Sequence, residues 1–385
     1  MLIGFTVENF RSFLDETSLS MIATSDKEHR DFNVIPTDHD DLLKSVLIYG
    51  ANASGKSNLV QAMYYMKKMV SSVFDMQTEY VKDCQPFAFS TAAEARPTKF
   101  ELSFLLDNVV YDYGFDILKN QISHEYLYKK AKRRTMVFER TSSSNLSIRV
   151  SPDMDDVISL TKNVRPDVLF LTWAAYANNA LAMQIVDWIS KKLILFGFNG
   201  YKTIPEYAGD FYHDFIRKSD NDIVDMKWDN KGKVFSSHRY FNDSWDELKT
   251  VDVPFKEYSS AGTQQMFDLA PVFYKALEES AVVVIDELDL HLHPALVRHL
   301  ISLINSIEHN PNNAQLICAT HDVLLLDEDI RRDQIWFVDK DKHSVSHLYS
   351  LSDFKDVRKN SDILKRYLLG VYGAIPDLNR GGGNE

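Results

Sequence analysis

Cysteine is almost absent. The two that occur, Cys84 and Cys318, lack any Cys-x-x-Cys spacing, which excludes a thiolate zinc site and a disulfide framework. Long apolar runs are missing as well: no segment approaches the roughly 18 apolar residues of a membrane span. Glu8 and Arg11 interrupt the N-terminal segment before a signal-like core can form, so the expectation is a cytoplasmic protein without membrane contact. Positive charge is in deficit, with 43 Lys and Arg against 55 Asp and Glu, a formal charge of −12. A uniformly basic nucleic-acid coat is therefore excluded, and any such contact needs a local basic patch, a dimer groove or a partner. No internal repeat and no sustained heptad array is present, which rules out long coiled-coil arms.

What remains is a chain of 385 residues with 23 Phe and 18 Tyr, enough for a sizeable core in one large domain with an insertion or in two to three ordinary domains. Residues 2–22 read as short strands around Asn9-Phe10-Arg11-Ser12-Phe13, and Ser25 to Asp41 as a loop. The apolar run Ser45–Tyr49 suits a buried parallel strand, and Asn58 to Val70 has helical composition. Strand-like segments at 100–106, 111–117 and 123–128 predict an antiparallel sheet beside the core. From Val164 to about Tyr240 the pattern predicts an inserted helical subdomain, with 173–177 and Leu181 to Leu195 as helical pieces. Val282–Ile285 and Gln315–Thr320 are further buried strands, joined by a crossover helix over Pro294–Ile307. The division expected is 1–160, 161–250 and 251–385, the first and last parts forming one head around a helical insertion. Arg380 to Glu385 reads as a flexible tail.

Between the first buried strand and its helix stands Gly50-Ala51-Asn52-Ala53-Ser54-Gly55-Lys56-Ser57, a complete G-x-x-x-x-G-K-S phosphate loop in the strand–turn–helix context the motif requires. Main-chain amides around Gly50, Asn52, Ser54 and Gly55 would cradle phosphate, Lys56 would neutralise β/γ-phosphate charge, and Ser57 would ligate Mg²⁺. Asp286-Glu287 ends the second buried strand, where α/β sheets bind ligands; Asp286 suits the Mg²⁺ shell and Glu287 the polarisation of the attacking water. His321, after the third strand, suits a γ-phosphate sensor or a water-positioning residue. Ser260 and Gly262, just before the helical region from Met266, combine a hydroxyl, a permissive backbone and a helix N-terminus, all of which suit an anion.

Assembled in this order, the motifs resemble those of ABC-type ATPases of the SMC/RecF superfamily, and especially the compact RloA-like and OLD-related ATPases of phage defence. The resemblance covers Asn9–Phe13, Gly50–Ser57, Ser260-Ala261-Gly262, Asp286-Glu287 and His321, and extends to Leu369–Pro376 as a terminal element. It implies an α/β ATPase head with a mixed central sheet, an adjacent antiparallel sheet and a helical insertion. It implies ATP and Mg²⁺ as ligands, hydrolysis to ADP and phosphate, and a homodimer or paired heads in which Ser260 and Gly262 touch ATP held by the opposite subunit. Arg11 becomes a nucleotide-side electrostatic contact, Glu287 the hydrolytic carboxylate and His321 the switch. Gln85 has two readings, a magnesium-linked glutamine or an ordinary loop residue. The sequence departs from the usual pattern in reading Ser-Ser-Ala-Gly-Thr where many relatives have Leu-Ser-x-Gly-Gly. With 64 residues after His321 a Toprim nuclease is not expected in this stretch, and Asp322, Asp327, Glu328 and Asp329 read as a loop and cap region.

The leading expectation is a nucleotide-driven dimer switch in antiphage defence that controls a partner effector such as a nuclease or toxin. The alternative is a DNA-repair or nucleic-acid ATPase, for which Lys129-Lys130-Ala131-Lys132-Arg133-Arg134 would supply phosphate contacts, unless that run is a solvated hairpin loop. A third is a nucleotide-gated scaffold with negligible turnover. His291 and His293 read as loop packing or as metal ligands, and Trp173, Tyr176 and Trp188 as helical packing or as a recognition surface.

Overall fold

A computed structural model describes residues 1–142, 146–197, 209–327, 329–355, 357 and 362–376. The expected tail Arg380–Glu385 and the expected loop residue Glu328 lie outside them.

The central sheet has six strands in the order Leu193–Phe196, Val282–Ile285, Gln315–Ala319, Ser45–Tyr49, Ile335–Lys340 and Ser346–Ser350. The first five are parallel and the last is antiparallel, so the sheet is mixed. Alternation along these strands sorts their apolar side chains into two cores. Val46, Ile48, Val282, Val284 and Ile317 pack with Leu59, Met63, Met66 and Val70 of helix Lys56–Ser71. Leu47, Val283, Ile285, Leu316 and Cys318 pack on the opposite face with helices Ala261–Glu279 and Pro294–Asn305.

Beside this lies a seven-stranded antiparallel sheet in the order Ser147–Val150, Arg134–Thr141, Gln121–Lys130, Val109–Leu118, Thr98–Leu106, Leu2–Glu8 and Thr17–Ser20. Its Phe100, Leu102 and Phe104 join the core of helix Lys56–Ser71, which is thus sandwiched between the two sheets. The Phe10↔Phe13 bridge turns the chain sharply, with Asn9 and Arg11 both at φ 53°. This is the expected ATPase-head architecture.

The insertion is less helical than expected. Helices Phe170–Tyr176, Ala180–Asp187 and Gly209–Arg217 are present, but Ile223–Trp228, Val234–Phe241 and Glu247–Pro254 form a three-stranded antiparallel meander. Leu193–Phe196, expected to close a helix, is instead the edge strand of the central sheet. A four-residue apolar run has no period that separates helix from strand, and pairing with Val282–Ile285 decides it.

Within the antiparallel sheet Arg140 and Glu125 form a buried ion pair at 3.6 Å, and the pair ties the insertion to the sheet: Arg140 donates to Val168 O at 2.5 Å and Arg165 O at 3.0 Å. Glu125 also accepts the N–H groups of Phe170 and Leu171, at 2.6 and 2.9 Å, at the start of helix Phe170–Tyr176. Of the three aromatics noted there, Trp188 is buried and stacks on Phe104 at 4.3 Å, and Trp173 is half-buried against Phe74, whereas Tyr176 is exposed. The terminal element around Tyr372 packs on Phe337 and Phe354.

Candidate active site

Three parallel strands deliver their C-terminal ends to one edge of the central sheet. Strand Ser45–Tyr49 leads into the phosphate loop, Val282–Ile285 into Asp286-Glu287, and Gln315–Ala319 into His321. The strand ending at His321 lies between the other two, so the acidic pair and the phosphate loop face each other across it.

The loop needs glycine at both ends for packing reasons. A Cβ on Gly50 would sit 2.5 Å from the Val338 carbonyl oxygen, and Gly55 holds φ 122° with the hydroxyl of Ser346 where a Cβ would go. Gly55 caps helix Lys56–Ser71 without any side-chain bond, and the first turn carries no acidic residue, leaving its N–H groups open to an anion. Lys56 is buried, and its Nζ donates to Gly50 O at 2.7 Å and Ala51 O at 3.3 Å. Burial lowers the pKa of its ammonium, opposed by the carboxylates of Asp286, Glu287 and Asp289. Asn52 is exposed, Ser57 half-buried, and Ser54 buried, its hydroxyl without a hydrogen-bond partner among the described residues.

Asp286 has one buried carboxylate oxygen, Oδ1, with no hydrogen-bond partner among the described residues. An orphaned acceptor at this edge fits a cation, and one carboxylate with the Ser57 hydroxyl is the sparse set from which Mg²⁺ is held together with phosphate oxygens. Among the described residues no group of three or more His, Cys, Asp or Glu could form an all-protein metal cage. Glu287 is exposed, with φ 55°. That left-handed conformation is costly for a residue with a Cβ and typical of functional loops. His321 is also exposed, and its main-chain N–H donates to the carboxylate of Asp289.

Ser260 caps helix Ala261–Glu279, accepting from Thr263 N at 3.1 Å. A Cβ on Gly262 would meet His291 O at 2.7 Å, so the loop after the acidic pair packs on the glycine. No described hydrogen bond joins Ser260 or Gly262 to residues 50–57 of the same chain. His293 caps the next helix, its Nδ1 accepting from Ala295 N, while the His291 side chain is exposed. Arg11 N donates to Gln85 O at 2.9 Å, and Arg11 Nε is buried with no hydrogen-bond partner among the described residues. The Gln85 side chain is exposed and makes no described hydrogen bond with Ser57 or Asp286, so its proximity is to Arg11.

A chain of hydrogen bonds through Ser12 and Ser346 holds the loop from behind. Asn58 Nδ2 donates to Ser12 Oγ at 2.7 Å, the Ser12 and Ser346 hydroxyls are hydrogen-bonded at 2.8 Å, and Ser346 Oγ donates to Ser54 O at 2.5 Å. Ser12 lies in the quoted N-terminal element, but nothing local marks Ser346. In the basic hairpin, Lys129 pairs with Asp153 at 2.7 Å and Arg134 with Asp112 at 2.9 Å, while Lys130, Lys132 and Arg133 are exposed without described ion pairs.

The family described as "AAA domain, putative AbiEii toxin, Type IV TA system" matches residues 45–327, and the chain belongs to it. No curated protein matches the chain. Among solved structures the chain is similar to an SMC head domain from Thermotoga maritima, at 15% identity and a TM-score of 0.43, over 91% of this chain and 98% of that one. It is also similar to an SMC head bound to the C-winged helix domain of ScpA, at 16% identity and a TM-score of 0.42, over 91% and 97%. Among the described residues no helix is long and apolar enough to cross a membrane.

Proposed function

We propose that this AAA-type nucleotide-binding ATPase is a Mg²⁺-dependent ATP hydrolase whose cycle opens and closes a dimer of heads, and that the dimer engages nucleic acid. One observation supports the dimer: Ser260, exposed, and Gly262, packed against the His291 carbonyl, sit at a helix N-terminus with no described hydrogen bond to their own phosphate loop. Such a terminus is available to phosphate held by a second copy. Lys56 and the open amides of Gly55–Asn58 would bind the β- and γ-phosphates, with Ser57 and Asp286 holding Mg²⁺, which when bound compensates phosphate charge. Glu287 orients the attacking water, and His321 supports it from the neighbouring strand end. Arg11, its Nε without a hydrogen-bond partner among the described residues, adds positive potential at the mouth. The exposed cations Lys130, Lys132 and Arg133 support a nucleic-acid contact on an otherwise acidic chain.

A second reading, a defence switch acting on a partner effector, is supported by the toxin–antitoxin wording of the family description and by an acidic surface suited to a basic partner. The deciding experiment is size-exclusion chromatography with light scattering on Glu287→Gln with and without Mg-ATP, followed by DNA binding. An ATP-locked dimer whose DNA affinity falls on Lys130→Ala/Lys132→Ala/Arg133→Ala supports the lead; a locked dimer indifferent to DNA moves the assignment to the effector switch. A monomer under both conditions defeats the dimer.

A further inference from the structure

A second cleft lies away from the phosphate loop. Helix Gly209–Arg217 packs on helix Ala261–Glu279 through Phe211–Tyr274 and Phe215–Phe273, at 5.3 and 5.6 Å between ring centroids. Between it and helix Pro294–Asn305 an open cleft of about 490 Å³ remains. The latter helix carries the chain from the Asp286 edge of the sheet back to the opposite edge, so Leu303 and His309 lie at the far end from Lys56.

The floor is apolar, made of the buried Phe215 and Leu303, with Phe211 stacked on Phe215 at 5.4 Å and partly exposed. The rim is basic, with the cations Arg217 and Lys218 and the imidazoles of His299 and His309 against one carboxylate, Asp214. Phe211, Phe215 and Lys218 recur at i, i+4 and i+7, so the ring faces and the ammonium point the same way. Neither the Arg217 nor the Lys218 side chain pairs with any described carboxylate or acceptor. His309 has Nδ1 engaged by Ser306 Oγ at 3.0 Å, which leaves Nε2 for a ligand. In a chain of net charge −12, uncompensated cations gathered over an aromatic floor are the reverse of the average surface.

We propose that this cleft binds a small phosphorylated aromatic ligand of the nucleotide class, its phosphate held by Arg217, Lys218 and the two histidines and its ring laid on Phe211. Arg supplies a planar fork for phosphate oxygens, and a half-exposed phenyl ring offers a stacking face. The volume of the open cleft, about 490 Å³, falls in the range of small-ligand pockets. Burial, then the nearby Lys218 and His309, lower the pKa of His299, a positive field that a bound phosphate would relieve. The inference is independent of the hydrolytic cycle proposed above.

The test uses the full chain with Lys56→Ala, which silences the phosphate loop, and AMP as the probe in isothermal titration calorimetry. One AMP per chain is expected, with affinity falling roughly tenfold or more on Arg217→Ala/Lys218→Ala. Phe211→Ala should weaken AMP and leave inorganic phosphate unchanged, and the imidazole resonances of His299 should titrate at higher pH in the presence of AMP. Both exposed-rim substitutions are checked for an unchanged melting temperature. Absence of AMP binding, or equal affinity after the double substitution, overturns the site. Inorganic phosphate binding as tightly as AMP overturns the role given to the ring.

Discussion

His321 donates its main-chain N–H to both carboxylate oxygens of Asp289, at 3.1 and 3.2 Å. The bond joins the loop that follows the acidic pair, two residues beyond Glu287, to the loop that follows the neighbouring strand. Asp289→Ala removes a charge-assisted hydrogen bond and is expected to lower kcat about tenfold while nucleotide affinity stays near its original value. Steady-state phosphate release together with calorimetric ATP binding measures the split.

Glu287→Gln keeps the volume of the side chain and removes its basicity. Turnover should fall by about 10²–10⁴-fold, the usual contribution of a positioned general base, with ATP still bound. Unchanged hydrolysis in this variant would place the water-activating group elsewhere.

Gly262→Ala puts a methyl group 2.7 Å from His291 O, closer than a Cβ tolerates, so the loop must shift. Hydrolysis and ATP-driven pairing should fall roughly tenfold, and stability by about 1–3 kcal/mol, the usual cost of overpacking. ATP binding to the chain's own phosphate loop should persist, which equilibrium titration of the monomer reads directly.

Lys67, on the phosphate-loop helix, is buried with its Nζ donating to Leu193 O at 2.5 Å. Burial, and next the charge of Lys275, lower its pKa from 10.5 to about 8. A base with a depressed folded pKa contributes its full stability above the unfolded value and loses it as pH falls through the folded one. Lys67→Met should therefore be the more stable protein at pH 7, by on the order of 1–2 kcal/mol after the lost hydrogen bond is counted. The gap should close as pH rises from about 8 to 10.5. Urea denaturation of both proteins across that range tests the sign.

Much of the site is legible from local sequence because phosphate binding is a local geometry. A strand end, a glycine turn and a helix N-terminus within Ser45–Ser71 hold every main-chain amide the loop needs, and the carboxylates of Asp286 and Glu287 need only the end of their own strand. The three-stranded meander was not legible, because its strands carry exposed charged residues and only pairing between them distinguishes it from irregular chain. For Gln85 the structure shows a main-chain contact, its carbonyl accepting from Arg11 N, which no motif spacing encodes.

The sequence by itself determined which groups handle phosphate and the order in which the chain presents them, since those depend on residue type and short spacing. Only the tertiary structure decided their mutual placement. The parallel order that sets the His321 strand between the other two, the Asp289 bond to His321 and the Ser12–Ser346 clasp join residues from 32 to 334 positions apart. Such contacts arise when burial of two apolar sheet faces fixes the strand order, and no local pattern encodes the distance across which they close.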